Sequence, residues 1–199
     1  MRIAVCGTHC AGKSTLAEDF AAAHRQYVHE PEPYEWLHEL YGEASAAEET
    51  GVDDFLRQLE LSVERLGGYG PGACVIAERS PLDFVAYLVA MVELGRAARD
   101  CAELAAAAEL AAAGLANLDL LVLLPLNAHD GIAAPEAEDP ELREAVNDAL
   151  LDLVAGDPYS YFRNGRPRVL ELHGTRAQRL RRLEEAVFTP PPPPRRARP

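Results

Sequence analysis

The stretch GTHCAGKST, residues 7–15, constrains the fold more than any other part of this sequence. It follows an apolar run, IAVC, and opens an alanine-rich one, LAEDFAAAH. It fits the phosphate-loop pattern G-x-x-x-x-G-K-[ST] at each fixed position. Glycines let the backbone curl so that successive N–H groups point at one anion, and the positive end of the following helix adds to the attraction. The pattern predicts a strand, a loop and a helix that bind a nucleoside triphosphate.

The predicted nucleotide-binding residues are those of the loop itself. They are Gly7, Thr8, His9, Cys10, Ala11, Gly12, Lys13, Ser14 and Thr15. We expect Lys13 to bridge the outer phosphates and the hydroxyl of Ser14 to ligate Mg²⁺, which are the roles of these residue types in this pattern. ATP and Mg²⁺ are therefore the predicted cofactors.

The rest of the chain alternates between apolar runs and stretches with helical spacing. The runs RIAVC, QYVH, ACVIA, LDLLVLLPL and RVLELHG predict five strands with helices between them. This alternation is typical of an α/β fold in which helices cover both faces of a parallel sheet. One domain is expected over 1–189, with a polar segment that becomes a helix at about 127–155. The proline- and arginine-rich tail, 190–199, is expected to be disordered.

The composition argues against several classes of protein. A net charge of −13 would repel phosphate backbones over most of the surface, so we expect no nucleic-acid partner. No apolar run approaches the roughly 20 residues that cross a membrane, and no targeting peptide follows Met1. We therefore expect a cytoplasmic protein without membrane association. The four cysteines form no CxxC pair, which disfavours a zinc site or a disulfide framework.

Charged residues follow strands two and three, at the edge where ligands of open parallel sheets bind. Glu30 ends the second strand, and a carboxylate placed there can accept the proton of an attacking hydroxyl. Glu32, two residues on, is the competing candidate. The third strand ends in Glu78 and Arg79. We expect Glu78 to hold Mg²⁺, directly or through water, and Arg79 to neutralise a phosphoryl group during its transfer.

In these motifs the chain resembles the nucleoside-kinase-like P-loop NTPases, an AAA-type group typified by the ribosylnicotinamide kinase part of the bacterial NAD regulator. It is similar, more distantly, to the deoxynucleoside and thymidylate kinases. The segments GTHCAGKSTL, VHEP, ERSPLDFVAYL, LLVLLPL and EDPELREAVNDAL occur in the family's order. The resemblance implies a five-stranded parallel sheet with a helical lid after strand four. It also implies that Glu30 is the base and that 78–80 form the metal and phosphate motif.

The resemblance suggests residues that would contact the acceptor. Gln58, in DFLRQ, matches the segment in which deoxynucleoside kinases offer a glutamine to the base. Tyr34 and Trp36 are candidates to flank a planar substrate, although core packing accounts for Trp36 equally well. Asp83 is a further candidate contact. Its alternative role is to interact favourably with the dipole of the helix that begins beside it.

The predicted lid departs from the family pattern. Relatives usually carry an arginine near Ala133, whereas this chain has no arginine or lysine over 127–142. Arg143, in the following helix, is therefore the predicted cation of the lid. It would either face the phosphates or form a surface ion pair. After strand five, Arg176 and Arg179 occupy the place where such kinases enclose adenine.

These features predict a Mg-ATP-dependent phosphotransferase that acts on a hydroxyl of a small molecule, with a nucleoside-like compound as the expected acceptor. The predicted catalytic residues are Lys13, Glu30, Arg79 and Arg143. Two alternatives stay open: a nucleotide-binding regulatory ATPase that docks a protein partner, and a kinase for a secondary metabolite. The alanine-rich helical stretch predicted over 81–113, with Gly95 as a candidate break, is a candidate face for a homodimer.

Overall fold

The computed structural model describes residues 1–41, 51–98, 101–127, 130 and 139–189. Its strands are β1 (Arg2–Cys6), β2 (Val28–Glu30), β3 (Val75–Glu78), β4 (Leu120–Leu123) and β5 (Arg168–Glu171). Its helices are α1 (Lys13–Ala23), α2 (Pro33–Tyr41), α3 (Val52–Gly68), α4 (Pro81–Glu93), α5 (Cys101–Leu115), α6 (Pro140–Gly156) and α7 (Arg176–Phe188). The predicted tail, 190–199, and Ala133 of the predicted lid lie outside the described residues.

The five strands form one parallel sheet in the order β2-β3-β1-β4-β5. β1 is central, and its run IAVC is buried, as suits a strand covered on both faces. Val5 pairs with Glu78, and Cys6 pairs with Leu123. The carboxyl ends of β1, β3 and β4 therefore meet at one edge, and the phosphate loop leaves β1 there. The predicted α/β fold class is confirmed.

Helices form a layer on each face of the sheet. Ile3 and Val5 of β1 pack with Phe20 of α1 and with α7, whereas Ala4 and Cys6 pack with the layer that contains α3 to α6. This division follows from the alternation of side chains along a strand. Among the described residues, none of the helices has both the length and the apolar character that crossing a bilayer requires.

The helical stretch predicted over 81–113 is two helices, separated at the candidate break near Gly95. α4 ends at Glu93, and the chain turns at Gly95, whose φ of +69° is a left-handed conformation that glycine adopts without strain. α4 is buried on nearly all sides because it packs against α3, α5 and α6. Its apolar residues are therefore covered within the chain. α5 exposes alanines, Ala105 and Ala106 among them, and the homodimer stays a prediction for that helix.

Candidate active site

The phosphate loop joins β1 to α1 and packs closely against the chain that leaves β4. A Cβ on Gly7 would lie 2.8 Å from the carbonyl oxygen of Leu124, so this position requires glycine. Gly12 has a φ of +91° and precedes α1 without a side-chain cap. The first N–H groups of α1 therefore have no side-chain acceptor. They are available to an anion, as the sequence pattern predicts.

A crevice of about 360 Å³ opens over this loop. The residues that line it are His9, Cys10, Gly12, Lys13, Ser14, Thr15 and Glu32. The other predicted loop residues, Gly7, Thr8 and Ala11, are buried. The crevice therefore brings the loop together with one carboxylate from a distant part of the sequence.

Glu32 is the carboxylate that faces the two cations of the crevice. Its Oε1 lies 3.4 Å from Nζ of Lys13, and its Oε2 accepts a hydrogen bond of 2.9 Å from Nε of Arg79. Burial alone would raise the pKa of Glu32, but the charges of Arg79 and Lys13 lower it to about 2. Burial and the nearby guanidinium of Arg79 lower the pKa of Lys13. Glu32 thus contacts both cations, and Asp83 adds a second carboxylate whose Oδ1 lies 3.9 Å from Nη1 of Arg79.

The side chain of Glu30, the predicted base, lies on the α3 face of the sheet and does not line the crevice. Glu30 pairs with Ala77, so its side chain is on the face that packs against α3. There it accepts hydrogen bonds from Nε of Arg65 and, at 2.5 Å, from the hydroxyl of Tyr69. The structure corrects the expectation that Glu30 faces the phosphates. Strand alternation turns this side chain towards α3, and Glu32, beyond the end of the strand, reaches the crevice.

Arg79 follows β3 with a backbone conformation that is uncommon for a residue with a side chain. Its φ is +66°, and its N–H donates a 3.0 Å hydrogen bond to the carbonyl oxygen of Val5. The guanidinium is buried and lies 5.2 Å from the ring centroid of Tyr87. Its Nη1 has no hydrogen-bond partner. A buried donor left free beside Glu32 suits an oxygen of a bound ligand.

Glu78, the last residue of β3, has one buried oxygen without a partner. Its Oε1 lies 2.7 Å from Nε2 of His29, whereas its Oε2 makes no hydrogen bond. The hydrogen bond to Glu78 raises the pKa of His29. Nothing in the sequence singled out His29, because its partner lies on another strand.

The donor set fits Mg²⁺. A free carboxylate oxygen on Glu78 and an exposed hydroxyl on Ser14 are oxygen ligands, which this ion prefers. Within the part of the chain that the structure describes, no group of three or more His, Cys, Asp or Glu side chains is arranged to hold a metal ion. Mg²⁺ usually binds through one or two protein groups together with phosphates and water.

Asp83, a predicted substrate contact, is instead part of the scaffold. It is fully buried and accepts a 3.0 Å hydrogen bond from the N–H of Gly7. It also accepts hydrogen bonds from the N–H and the hydroxyl of Ser80, each at 2.8 Å. Asp83 therefore completes the capping box of α4, whose N-cap is Ser80, and joins the start of the phosphate loop to the residues that follow β3. This burial corrects the expectation that it contacts a substrate.

The predicted acceptor residues lie on α2 and α3. Gln58 is buried on α3, where Phe55 stacks on Tyr87 with ring centroids 4.5 Å apart. The ring of Trp36 lies 3.9 Å below the guanidinium carbon of Arg65, and its buried Nε1 has no partner. Tyr34, by contrast, is 40% exposed. Contacts of Gln58, Trp36 and Tyr34 with an acceptor stay predictions.

A second cavity, of about 240 Å³, adjoins the loop beside α7. The residues that line it are Gly12, Thr15, Leu16, Asp130, Gly174, Arg176 and Arg179. Arg176 donates hydrogen bonds of 2.6 and 2.5 Å to Asp19 of α1, and its side chain is largely exposed. The residue predicted to enclose adenine therefore lies at a cavity that shares Gly12 and Thr15 with the phosphate crevice.

Arg143 contacts the phosphate loop. Its Nε donates a 2.9 Å hydrogen bond to the carbonyl oxygen of His9, and its Nη2 donates one of 3.4 Å to that of Cys10. Asp139, which caps α6, is instead paired with Arg96. Arg143 thus bonds to the backbone of the loop, and its contact with phosphate stays a prediction.

Comparison with known proteins identifies the family and the fold of the chain. A family model described as "AAA domain" matches residues 2–169, which is most of the chain. No curated protein matches the sequence.

Three solved structures share the fold. Deoxyadenosine kinase from M. mycoides, with bound dATP, is 15% identical over 95% of this chain and 100% of that chain, with a TM-score of 0.63. Thymidylate kinase from Candida albicans is 17% identical over 94% of this chain and 90% of that one, with a TM-score of 0.65. The NadR protein, in complex with NAD and AMP-PNP, is 15% identical over 96% of this chain and 50% of that one, with a TM-score of 0.62. The chain belongs to the AAA-domain family and has the nucleoside-kinase-like P-loop NTPase fold.

Proposed function

We propose that this protein is a Mg-ATP-dependent phosphotransferase that phosphorylates a hydroxyl of a small molecule, with a nucleoside or nucleoside-like compound as acceptor. The observation that carries the proposal is the contact of Glu32 with both Lys13 and Arg79 beside the phosphate loop. These cations are the ones suited to the γ-phosphate. A carboxylate beside them stands where an acceptor hydroxyl must arrive.

Each charged group of the crevice has a role in this proposal. Lys13 holds the outer phosphates, and Arg79 neutralises charge on the transferring group. Ser14 and Glu78 hold Mg²⁺, which supplies charge neutralisation and orientation of the phosphates. The N–H groups of the loop and of the first turn of α1 bind the remaining phosphate oxygens.

Glu32 is the general base of the proposed reaction. Phosphates compete with it for Lys13 and Arg79, the two charges that lower its pKa, so ATP binding makes the carboxylate more basic. Glu32 then accepts the proton of the acceptor hydroxyl. The hydroxyl oxygen bonds to the γ-phosphorus, the bond from that phosphorus to the bridging oxygen breaks, and ADP leaves.

The acceptor class rests on the predicted contacts of α2 and α3 and on the fold's relatives. Gln58 supplies an amide, and Trp36 supplies a ring with a buried, unpaired N–H. An amide and an aromatic ring suit a flat heterocycle, because the amide hydrogen-bonds to its edge and the ring stacks on its face. The similar structures named as deoxyadenosine kinase and thymidylate kinase support a nucleoside-like acceptor.

A thermal-shift screen tests the proposal. Nucleosides, nucleotides and vitamins are added to the protein with and without a non-hydrolysable Mg-ATP analogue, and the melting temperature is measured. We expect one nucleoside-like compound to raise the melting temperature only when the analogue is present, because a ligand that binds the folded state stabilises it. If the Mg-ATP analogue alone leaves the melting temperature unchanged, both nucleotide binding and the proposed function are contradicted.

The contact of Arg143 with the loop leads to a mutational prediction. Arg143→Ala should lower turnover by about tenfold or more, because it removes a cation that α6 holds against the phosphate loop. The melting temperature should change little, since the side chain is only partly buried. Arg143→Lys should restore part of the activity, because lysine lacks the planar fork of arginine. Steady-state kinetics measures these effects, with Arg182→Ala on the exposed side of α7 as control.

Full activity in Arg143→Ala would contradict this prediction. The charge of the transferring group would then be neutralised by Lys13 and Arg79 without a cation from α6.

One observation favours a second candidate function. The sequence has no arginine or lysine over 127–142, so the first part of the predicted lid, before Arg143, supplies neither of these cations. A nucleotide-binding regulatory ATPase that docks a protein partner needs less transfer activity than a kinase does. ATP hydrolysis that is stimulated by a protein, and by no small molecule, would support this function. Stimulation by a secondary metabolite would instead support the other alternative, a secondary-metabolite kinase.

The cytoplasmic location stays a prediction.

A further inference from the structure

The carbonyl groups of residues 8–11 in the phosphate loop are each bonded to a cation. Nζ of Lys13 donates to the carbonyl oxygen of Thr8 at 3.1 Å, and Arg143 donates to the next two carbonyls along the loop. The fourth carbonyl, that of Ala11, accepts a 2.7 Å hydrogen bond from Nη1 of Arg179. Four consecutive carbonyls thus contact three cations that belong to α1, α6 and α7.

This arrangement fixes the opposite side of the loop as well. In a trans peptide the C=O of one residue and the N–H of the next point in opposite directions within one plane. A cation that fixes the carbonyl of Ala11 therefore also fixes the direction of the N–H of Gly12, which points to the opposite side of the peptide. Gly12 lines both the phosphate crevice and the adjoining cavity.

Arg179 has a second partner, which connects the loop to a distant part of the chain. Its Nη2 donates a 2.6 Å hydrogen bond to Oδ2 of Asp130, and both side chains are about 95% buried. Oδ1 of Asp130 accepts a 2.8 Å hydrogen bond from the N–H of Gly174, which precedes α7. The two hydrogen bonds lower the pKa of Asp130 although burial acts against them, so the pair is ionised.

We propose that Arg179 is a positioning residue that sets the anion-binding geometry of the phosphate loop, and that Asp130 sets the position of Arg179. The proposal rests on the proposed function only as far as nucleotide binding. Arg179 acts on the phosphates through the backbone of Ala11 and Gly12 and without contact to adenine. An arginine suits this place because its fork reaches two acceptors at once, one on the loop and one on the segment between β4 and α6.

The test compares Mg-ATP analogue with Mg-triphosphate, which has no adenine. Calorimetric titration measures both dissociation constants for Arg179→Gln, Arg179→Lys and Asp130→Asn. Arg181→Gln is the control, because Arg181 lies on the same helix with an exposed side chain. We expect Arg179→Gln to weaken both ligands equally, by about tenfold or more, as the loss of a charge-assisted hydrogen bond implies. In steady-state kinetics the KM for ATP should rise more than kcat falls.

The other variants separate positioning from a general loss of stability. Arg179→Lys should recover only part of the affinity, since lysine serves both partners poorly. Asp130→Asn should weaken both ligands by a smaller factor, and its effect should disappear when it is combined with Arg179→Gln, because the two side chains act through one contact. Melting temperatures identify which variants are folded.

Three results would overturn the inference. One is a folded Arg179→Gln variant that binds both ligands as the original protein does. Another is a loss of affinity for the ATP analogue without a loss for triphosphate, which would mean contact with adenine. If Arg179→Gln does not fold, normal affinity for both ligands in both Arg179→Lys and Asp130→Asn would also overturn the inference. Absence of binding by the original protein would instead reject the proposed function.

Discussion

Glu32→Gln should lower the rate of phosphoryl transfer by about 10²- to 10⁴-fold, the usual contribution of a general base, while Mg-ATP still binds. Glutamine has nearly the same shape and keeps an oxygen that accepts a hydrogen bond from Arg79, but it cannot take a proton. Removal of the negative charge also frees Lys13 and Arg79 for phosphate, so ATP affinity should be unchanged or higher. Single-turnover kinetics and calorimetric titration measure the two effects separately.

Glu30→Gln is the matched control for this prediction. Its carboxylate is two residues away and is bonded to Arg65 and Tyr69 of the α3 side. The variant should lower the melting temperature, because it weakens a nearly buried ion pair, and should leave the chemical step nearly unchanged. A silent Glu32→Gln together with a strongly impaired Glu30→Gln would return the base to Glu30.

Glu32→Gln should also change how the stability of the fold depends on pH. In nucleotide-free protein the pKa of Glu32 is about 2, below the ordinary value of 4.5. The ion pairs of Glu32 therefore stabilise the fold fully above pH 4.5, and this contribution is lost as the pH falls towards 2. Its size is on the order of 3 kcal/mol. Denaturant unfolding between pH 5 and 2 should show a shallower loss of stability for Glu32→Gln, and equal slopes would contradict the assigned pairing.

Lys13→Ala should weaken binding of Mg-ATP by about 100-fold or more, because it removes a buried charge from the phosphate crevice. The fold should persist, since Glu32 keeps its 2.9 Å hydrogen bond to Arg79. Calorimetric titration measures the affinity, and circular dichroism checks the fold. Unchanged ATP affinity in a folded variant would remove the phosphate-loop interpretation.

A chemical probe gives the same prediction a second readout. Lys13 is the only lysine in the sequence, so an amine-reactive ATP analogue has one side-chain target. The lowered pKa of Lys13 increases its reactive neutral form. Peptide mass spectrometry should show modification of Lys13 that excess Mg-ATP prevents. The amino group of Met1, at the opposite end of β1, is the internal control that ATP should not protect.

The pattern of residues in the sequence was sufficient to predict the phosphate loop and the type of fold. The phosphate loop is a local feature, because its glycines, Lys13 and Ser14 act at a fixed spacing across one turn and one helix start. The strands and helices were also predictable, since apolar periodicity reports burial within a single element. The break at Gly95 and the cap of α4 at Ser80 follow from the same local chemistry.

The partners of each carboxylate and arginine depend on the tertiary fold. Glu30 and Glu32 are nearly equivalent in the sequence, and they differ because strand alternation turns one towards α3 while the other reaches Lys13 and Arg79. Asp83 reads as a residue of a first helical turn, yet it is buried against Gly7. The remaining contacts pair residues far apart in the chain: Arg143 with the loop, and Arg179 with Asp130. Such pairs depend on how two helical layers pack on one sheet, and no local spacing of residues encodes that packing.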